Sequence, residues 1–380
     1  MEKKLTPEPS FRAAHATAET WQEAARGIIL ALGKLEAAHR IGFLYVTDAY
    51  ADSFEEISIF MRQTTGVPHW VGTVGLGVIG SDREYFDEPA MSVMIAPIAE
   101  DAFRLFRNPM DNPRAMRQEY GDWLKEVDSP LVIVHADPRG DSLLDDIEDL
   151  ATATNGFLIG GLTASRGRFS QLADNVDEGG MSGLMLSLHS VPVQLGLTQG
   201  CSPIGQPRTV TESEENVMFG IDDQTALDAL KEDIGDVLSR DLSRIEGYIF
   251  AALPVPGSDT ADYLVRNLVG IDESAGAVAI GSSVEEGDRI MFCRRDRDSA
   301  VEDMQRMLND LKRRTGGREI RAGLYYSCVA RGPNQFGEDS AELGIIRDAL
   351  GDFPLTGFFA NGEISNNRLY GYTGVLALFL

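Results

Sequence analysis

Two short segments carry side chains suited to recognition chemistry. SCVARG (327–332) closes an apolar run with Ser327, Cys328 and Arg331, and NGEI (361–364) sets Asn361 and Glu363 around a glycine. An arginine at a strand mouth can fork a carboxylate with paired N–H donors, and a glutamate can accept from an ammonium. The reading is that Ser327, Cys328, Arg331, Asn361 and Glu363 converge on one concave surface and hold an amino-acid-like ligand. The competing arrangement is an internal Arg–Glu pair with nothing bound. The three cysteines, Cys201, Cys293 and Cys328, stand far apart with no C-x-x-C pair, so neither a disulfide framework nor a cysteine zinc site is indicated. Cys328 or Cys201 as an enzymatic nucleophile needs a base, and none stands nearby in sequence.

The five histidines form no H-E-x-x-H, and the chain lacks a P-loop, a G-x-S-x-G elbow and a C-x-x-C-H haem attachment. No catalytic motif emerges, and the expectation is a binding protein and not an enzyme. Gly75-Leu-Gly77-Val-Ile-Gly80 fits G-x-G-x-x-G, but the polar stretch SDREYFDEPA follows where a dinucleotide site needs a helix. A haem would need a histidine beside an apolar wall; His189, which follows GLMLSL, is the first expectation, with His69 and His135 next.

These residues must be positioned by elements that the punctuation between apolar runs outlines. IGFLYV (41–46) reads as a strand, followed by a helix with a Ser53–Glu56 capping box that closes at Gly66. HWVGTVGLG and AMSVMIAPI read as strands, and a helix capped by Asn112 follows. The order restarts with LVIVHAD (131–137), a helix capped by Asp141, and the strands FLIGGLT and MSGLMLSLHS. In the second half GYIFAALPV is a strand, a helix runs from Asp259 to near Gly270, AVAIGSSV and RIMFCRRD are strands, and a long helix begins at Asp298. GLYYSCVA, a helix from about Glu338 to Leu350, PLTGFFAN and RLYGYTGVLALFL complete the set. Each half therefore reads β-α-β-β-α-β-α-β-β. Arg62, Gly66, Gly72, Gly77 and Ile79 share their mutual spacing with Arg347, Gly351, Gly357, Gly362 and Ile364, which points to an internal duplication. The fold class is α/β, with two similar sheet-and-helix domains, 1–221 and 222–380, and an extra helix at Trp21–Leu35 outside the repeat.

At 380 residues the chain suffices for two domains, and 43% hydrophobic with 24% charged residues marks it as globular. A net charge of −25 argues against nucleic acid as a partner. No apolar run reaches the length of a membrane span, and the first twenty residues lack the apolar stretch of a secretory leader, so a cytoplasmic location is expected.

TQGCSPIG…TVTESEENVMFGIDDQTALDAL resembles the joining region of FIST proteins, with its GC-x-P, VT, N-V and D-x-x-A elements. YLVRNLVGID, EEGDRIMFCRRD, SCVARG, PLTGFF, NGEI and YGYTGVL resemble the FIST C-terminal domain nearly end to end. VGTVGLGVIG stands where family members carry a Cys-Ser-Thr-x-Gly stretch. The resemblance implies a sensory domain for small ligands such as amino acids. With no signalling domain recognised in the chain, it would act through a separate partner. One branch of the family implies a different role, a haem-binding nitric-oxide sensor that regulates a histidine kinase.

Overall fold

The computed structural model describes residues 10–109, 113–255 and 262–380, apart from the side chains of 113–115 and 117. Asn112 and Asp259, expected to start helices, lie outside the described residues. The chain forms two compact units: Gln199–Met304 with Tyr370–Tyr372 make one, and the rest makes the other. The smaller is thus an insertion in the larger, and this division differs from the expected segments 1–221 and 222–380.

In chain order the first passage of the larger unit is β1 (Arg12–Thr17), α1 (Trp21–Leu32), β2 (Ile41–Thr47), α2 (Phe54–Thr65), β3 (His69–Gly75), β4 (Gly77–Ile79), β5 (Glu84–Phe86) and β6 (Ala90–Ala96). The second is β7 (Phe103–Arg107), α3 (Pro113–Val127), β8 (Leu131–Ala136), α4 (Leu143–Thr154), β9 (Phe157–Leu162), β10 (Ser170–Ala173), β11 (Asn175–Glu178) and β12 (Met181–Leu186). After β13 (Val193–Gln199) comes the inserted unit, made of β14 (Cys201–Pro203), β15 (Arg208–Glu214), β16 (Val217–Ile221), β17 (Gln224–Thr225), α5 (Ala226–Leu238), β18 (Ile249–Pro254), β19 (Tyr263–Asp272), β20 (Ala277–Ile280) and β21 (Arg289–Arg295). The third passage resumes with α6 (Arg297–Thr315), β22 (Ala322–Cys328), α7 (Ala341–Leu350), β23 (Leu355–Ala360), β24 (Glu363–Ser365), β25 (Arg368–Tyr370) and β26 (Thr373–Phe379).

The larger unit is therefore a three-fold recurrence of β-α-β-α-β-β-β-β, and not the two-fold one the spacing suggested. Its sheets run β1-β6-β2-β3-β10-β11, β7-β12-β8-β9-β24-β25 and β13-β26-β22-β23-β4-β5. Each passage keeps its parallel pair (β2–β3, β8–β9, β22–β23) and lends a hairpin to a different passage's sheet. The helix at Trp21 belongs to the first passage and is no extra element. The five shared residues do stand at corresponding positions of the first and third passages. Gly66 and Gly351 close α2 and α7, their N–H groups donating to Arg62 O at 3.0 Å and Arg347 O at 2.8 Å. The middle passage escaped that match because, with Gly160 set on Gly72, Leu150 and Thr154 stand where the spacing needs Arg and Gly, α4 closes at Asn155, and the loop 163–169 lengthens the step to the hairpin.

Strands such as β2 and β8 are buried at every position, as expected where helices cover one face and other sheets the other. The inner faces of all three sheets share one core, with Phe43, Ile133, Ile159, Leu324, Phe358 and Val375 among its members. At the same place in each parallel pair a glycine lies against the neighbouring strand: a Cβ on Gly72 would fall 1.7 Å from Leu44 O, on Gly160 1.9 Å from Val134 O, and on Gly357 1.7 Å from Tyr325 O. Backbone cannot yield as a flexible side chain can. Gly72→Ala and Gly357→Ala are each expected to cost at least about 3 kcal/mol, the upper range of overpacking, read as a drop in denaturant midpoint.

In the smaller unit the antiparallel pairings close on themselves: β21-β15-β16-β20-β19-β18 and back to β21. Closure removes free sheet edges. α5 packs Ala226, Leu227 and Leu230 against Val210, Val278 and Phe292 of this ring. YLVRNLVGID, read as part of a helix, is strand β19; it carries β-branched and aromatic residues and alternates buried and half-buried over its first positions.

Candidate functional site

β22 ends in the first of the two motifs, and alternation along it sends its side chains to opposite faces. Tyr325 and Ser327 meet α7, whereas Tyr326 enters the shared inner core. On α7, Glu342 shares the buried stripe with Leu343 and Ile346. A carboxylate there needs compensation, and it has it. Glu342 accepts from Tyr325 OH at 2.6 Å, Ser327 Oγ at 3.1 and 3.2 Å, Gly332 N at 2.8 Å and Arg331 Nε at 2.8 Å, and Arg331 Nη2 lies 2.7 Å away. Both partners of this ion pair are enclosed, Arg331 at 0% and Glu342 at 1% exposure. Among the described residues Arg331 Nη1 has no hydrogen-bond partner.

Glu363 opens β24, opposite Gly161 of β9, and is fully buried. One carboxyl oxygen accepts from Thr373 N at 3.1 Å and Thr373 Oγ1 at 2.8 Å. The Cys328 side chain and the Arg331 charge also act on this carboxyl. Its other oxygen, Oε1, has no hydrogen-bond partner among the described residues. Burial pushes the Glu363 carboxyl up to about 8, against the pull of Thr373, Arg331 and Cys328.

The structure thus brings Ser327, Cys328, Arg331 and Glu363 into one polar cluster. It differs from expectation in two respects. The cluster is enclosed and not a concave surface, because α7 covers one side of it and the inner core the other. Asn361 is exposed, fixed through its N–H to Leu162 O at 3.0 Å, so its side chain does not line the enclosed cluster. Sequence reasoning missed Glu342, Tyr325 and Thr373. The signal for Glu342 was an acid on an apolar helical stripe, four residues before Ile346.

Beside the cluster an open cleft of about 620 Å³ is walled by Asp82, Glu84, Glu88, Glu338, Asp339 and Ser340. Glu84 joins cleft and cluster: its Oε1 accepts from Leu343 N at 2.8 Å in the first turn of α7. Burial, and then the Glu342 charge, hold the Glu84 carboxyl at about 8.

The passages meet at a second polar centre. Tyr45, His135 and Tyr326 occupy the same position in β2, β8 and β22, next to the residue that faces the close-packed glycine. Tyr45 OH lies 3.2 Å from His135 Nε2 and 3.1 Å from Tyr326 OH. Burial drives His135 down to about 3, so it is neutral, and its Nδ1 lacks a partner.

A haem does not fit these residues. His189 is exposed on the turn after β12 and lines no apolar wall. His135 is packed among Tyr45, Tyr326 and Phe358, and His69 is bound through Nδ1 to Asp174 Oδ2 at 2.8 Å. Of the clefts at Glu84, at Phe11 and at Gln118, none has a histidine in its wall.

Comparison with known proteins matches residues 40–224 to the FIST N domain and residues 226–366 to the FIST C domain. The chain belongs to the FIST family. FIST N and FIST C together mark a sensory protein of signal transduction. Among its relatives, an uncharacterized protein of Mycobacterium tuberculosis is 30% identical over 338 residues, covering 82% of this chain and 83% of its own. An uncharacterized protein of Mycobacterium bovis is 26% identical over 358 residues, covering 90% and 91%. The Arg331–Glu342 pair and Glu363 fall within the FIST C match, whereas Glu84 falls within FIST N. The cleft therefore draws its walls from both FIST segments, folded into the same compact unit. Among the described residues of this FIST protein, no helix is long and apolar enough to cross a membrane.

Proposed function

We propose that this FIST protein senses a small zwitterionic, amino-acid-like ligand and passes the signal to a separate partner such as a histidine kinase. The observation that supports it is the pair of buried, unpartnered groups flanking Cys328: a guanidinium N–H donor at Arg331 Nη1 and a carboxyl acceptor at Glu363 Oε1. Leaving such groups unmet costs about 1–3 kcal/mol each, and more when charged. A ligand with one carboxylate and one ammonium meets both. The approach is the cleft at Glu84, and α7, whose first turn bonds Glu84, is the element that a ligand would displace. Titration calorimetry with free amino acids, their decarboxylated amines and their deaminated acids tests the reading. At least one amino acid should bind while its two truncated analogues do not. Equal binding of the analogues, or no binding by any amino acid, would sink it.

A thiol-based reaction is the second reading, favoured by the influence of Cys328 on Glu363, a carboxyl that becomes a base for the thiol once it ionises near pH 8. Cys328→Ser separates the two: a sensor keeps its affinity, whereas an enzyme loses turnover.

A further inference from the structure

The smaller unit holds a feature that ligand sensing does not use. Cys201 lies in β14, a three-residue strand that pairs with β21 alone, and Cys293 lies in β21. The register sets Cys201 opposite Arg295 and Pro203 opposite Cys293, so the two cysteines form a diagonal pair on one face. Both are buried in the cluster of Phe250, Ala252, Tyr263, Val265 and Met291, and both are free thiols. Register and burial thus put the two side chains side by side in one apolar cluster. The Tyr263 hydroxyl holds the carbonyl of Cys201, fixing β14 beside β21.

We infer that Cys201 and Cys293 form a reversible dithiol–disulfide site, oxidised by a low-molecular-weight disulfide. Two thiols on one face of paired strands need little rearrangement to bond. A diagonal pair sets its Cα atoms roughly 7–8 Å apart, and a disulfide wants less than about 7 Å, so β14 must close by about 1 Å. An edge strand of three residues beside Gly200 can make that shift. The slight misfit also makes the bond easier to reduce, which suits a reversible site.

Cys201, the more exposed at 4% against 0%, is the attacking sulfur. It loses its proton and bonds to one sulfur of the reagent, whose S–S bond breaks and releases a thiolate. Cys293 then attacks Cys201 in the mixed disulfide and expels the second thiolate. The protein thiols lose two electrons, the reagent gains two, and the two thiol protons end on the released thiols. The Cys201 side chain, and then burial, push the Cys293 thiol up, which makes Cys293 the second and not the first sulfur to react.

The test is oxidised glutathione added to the full-length native protein, followed by alkylation and mass spectrometry. The free-thiol count should fall from three to one, with Cys328 the survivor. A Cys201–Cys293 cross-link lighter by two hydrogens should appear, and dithiothreitol should reverse it. Cys293→Ser should instead stop at a glutathione adduct on Cys201. Three alkylated thiols after treatment, or a wild-type protein left with glutathione on Cys201 and no cross-link, would overturn the inference.

Discussion

Arg331→Ala should be among the most damaging single substitutions in this protein, lowering stability by about 3–5 kcal/mol, the usual cost of removing one partner from a buried ion pair. Glu342 would keep its bonds from Tyr325, Ser327 and Gly332 but lose the cation bonded to it, at 1% exposure. Lost side-chain volume adds a cavity beside Phe336, over whose ring the guanidinium carbon stands at 4.9 Å. Arg331→Met keeps most of the volume and isolates the charge effect. Combining it with Glu342→Gln removes the stranded charge while leaving an oxygen to accept from Tyr325 and Gly332. The double variant should therefore be more stable than Arg331→Met alone. Urea denaturation of the four proteins gives the coupling directly. Strictly additive losses would show that the two side chains do not act as a pair in solution.

How far the sequence carried the fold depends on which forces act locally. The α/β class and most elements were legible, because apolar runs, caps and glycines are written within a few residues of where they act. The match of Arg62, Gly66 and Gly72 to Arg347, Gly351 and Gly357 located two of three corresponding positions. The third was hidden because Leu150 and Thr154 replace the Arg and Gly of the pattern, and the exchange of hairpins between passages has no local signature at all. YLVRNLVGID was misread because its apolar residues fit both periods over a short window, and the neighbouring strands decided between them. For the site, Arg331 lies just beyond the buried strand β22 and Glu363 opens β24 just beyond β23, so their neighbourhood was legible from the strand ends. Their enclosure was not legible: it depends on Glu342, an acid on an apolar helix face, and on Thr373, contributed by β26. Equally, Tyr45, His135 and Tyr326 meet only because three distant strands occupy equivalent places.

Glu363→Gln should make the protein more stable in alkali while abolishing the proposed ligand binding, a combination that a merely structural glutamate would not produce. Glu363 is fully buried and its carboxyl is raised to about 8. Between the ordinary carboxylate range and that value the folded protein holds a proton that the unfolded chain has released. Stability from this group is therefore complete at acid pH and is lost as pH rises through about 8. At one pKa unit per 1.4 kcal/mol, the loss accumulated by pH 9 is about 3–5 kcal/mol. Glutamine stays neutral throughout and can still accept from Thr373 N and Oγ1. Wild type and variant should thus match within about 1 kcal/mol at pH 5 and diverge steadily above pH 6, the variant being the more stable. Denaturant midpoints across that range measure it, and parallel curves would show that Glu363 does not titrate as its burial requires. The ligand arm has the opposite sign. An ammonium bound at Oε1 favours the ionised carboxylate, so binding to wild type near neutral pH should expel a proton, seen as a binding enthalpy that varies with the ionisation enthalpy of the buffer. Glu363→Gln should weaken that binding by about 1.5–3 kcal/mol, the scale of a hydrogen bond to a charged group. A variant that gains alkaline stability yet binds as wild type would leave Glu363 a buried acid and move the ligand elsewhere.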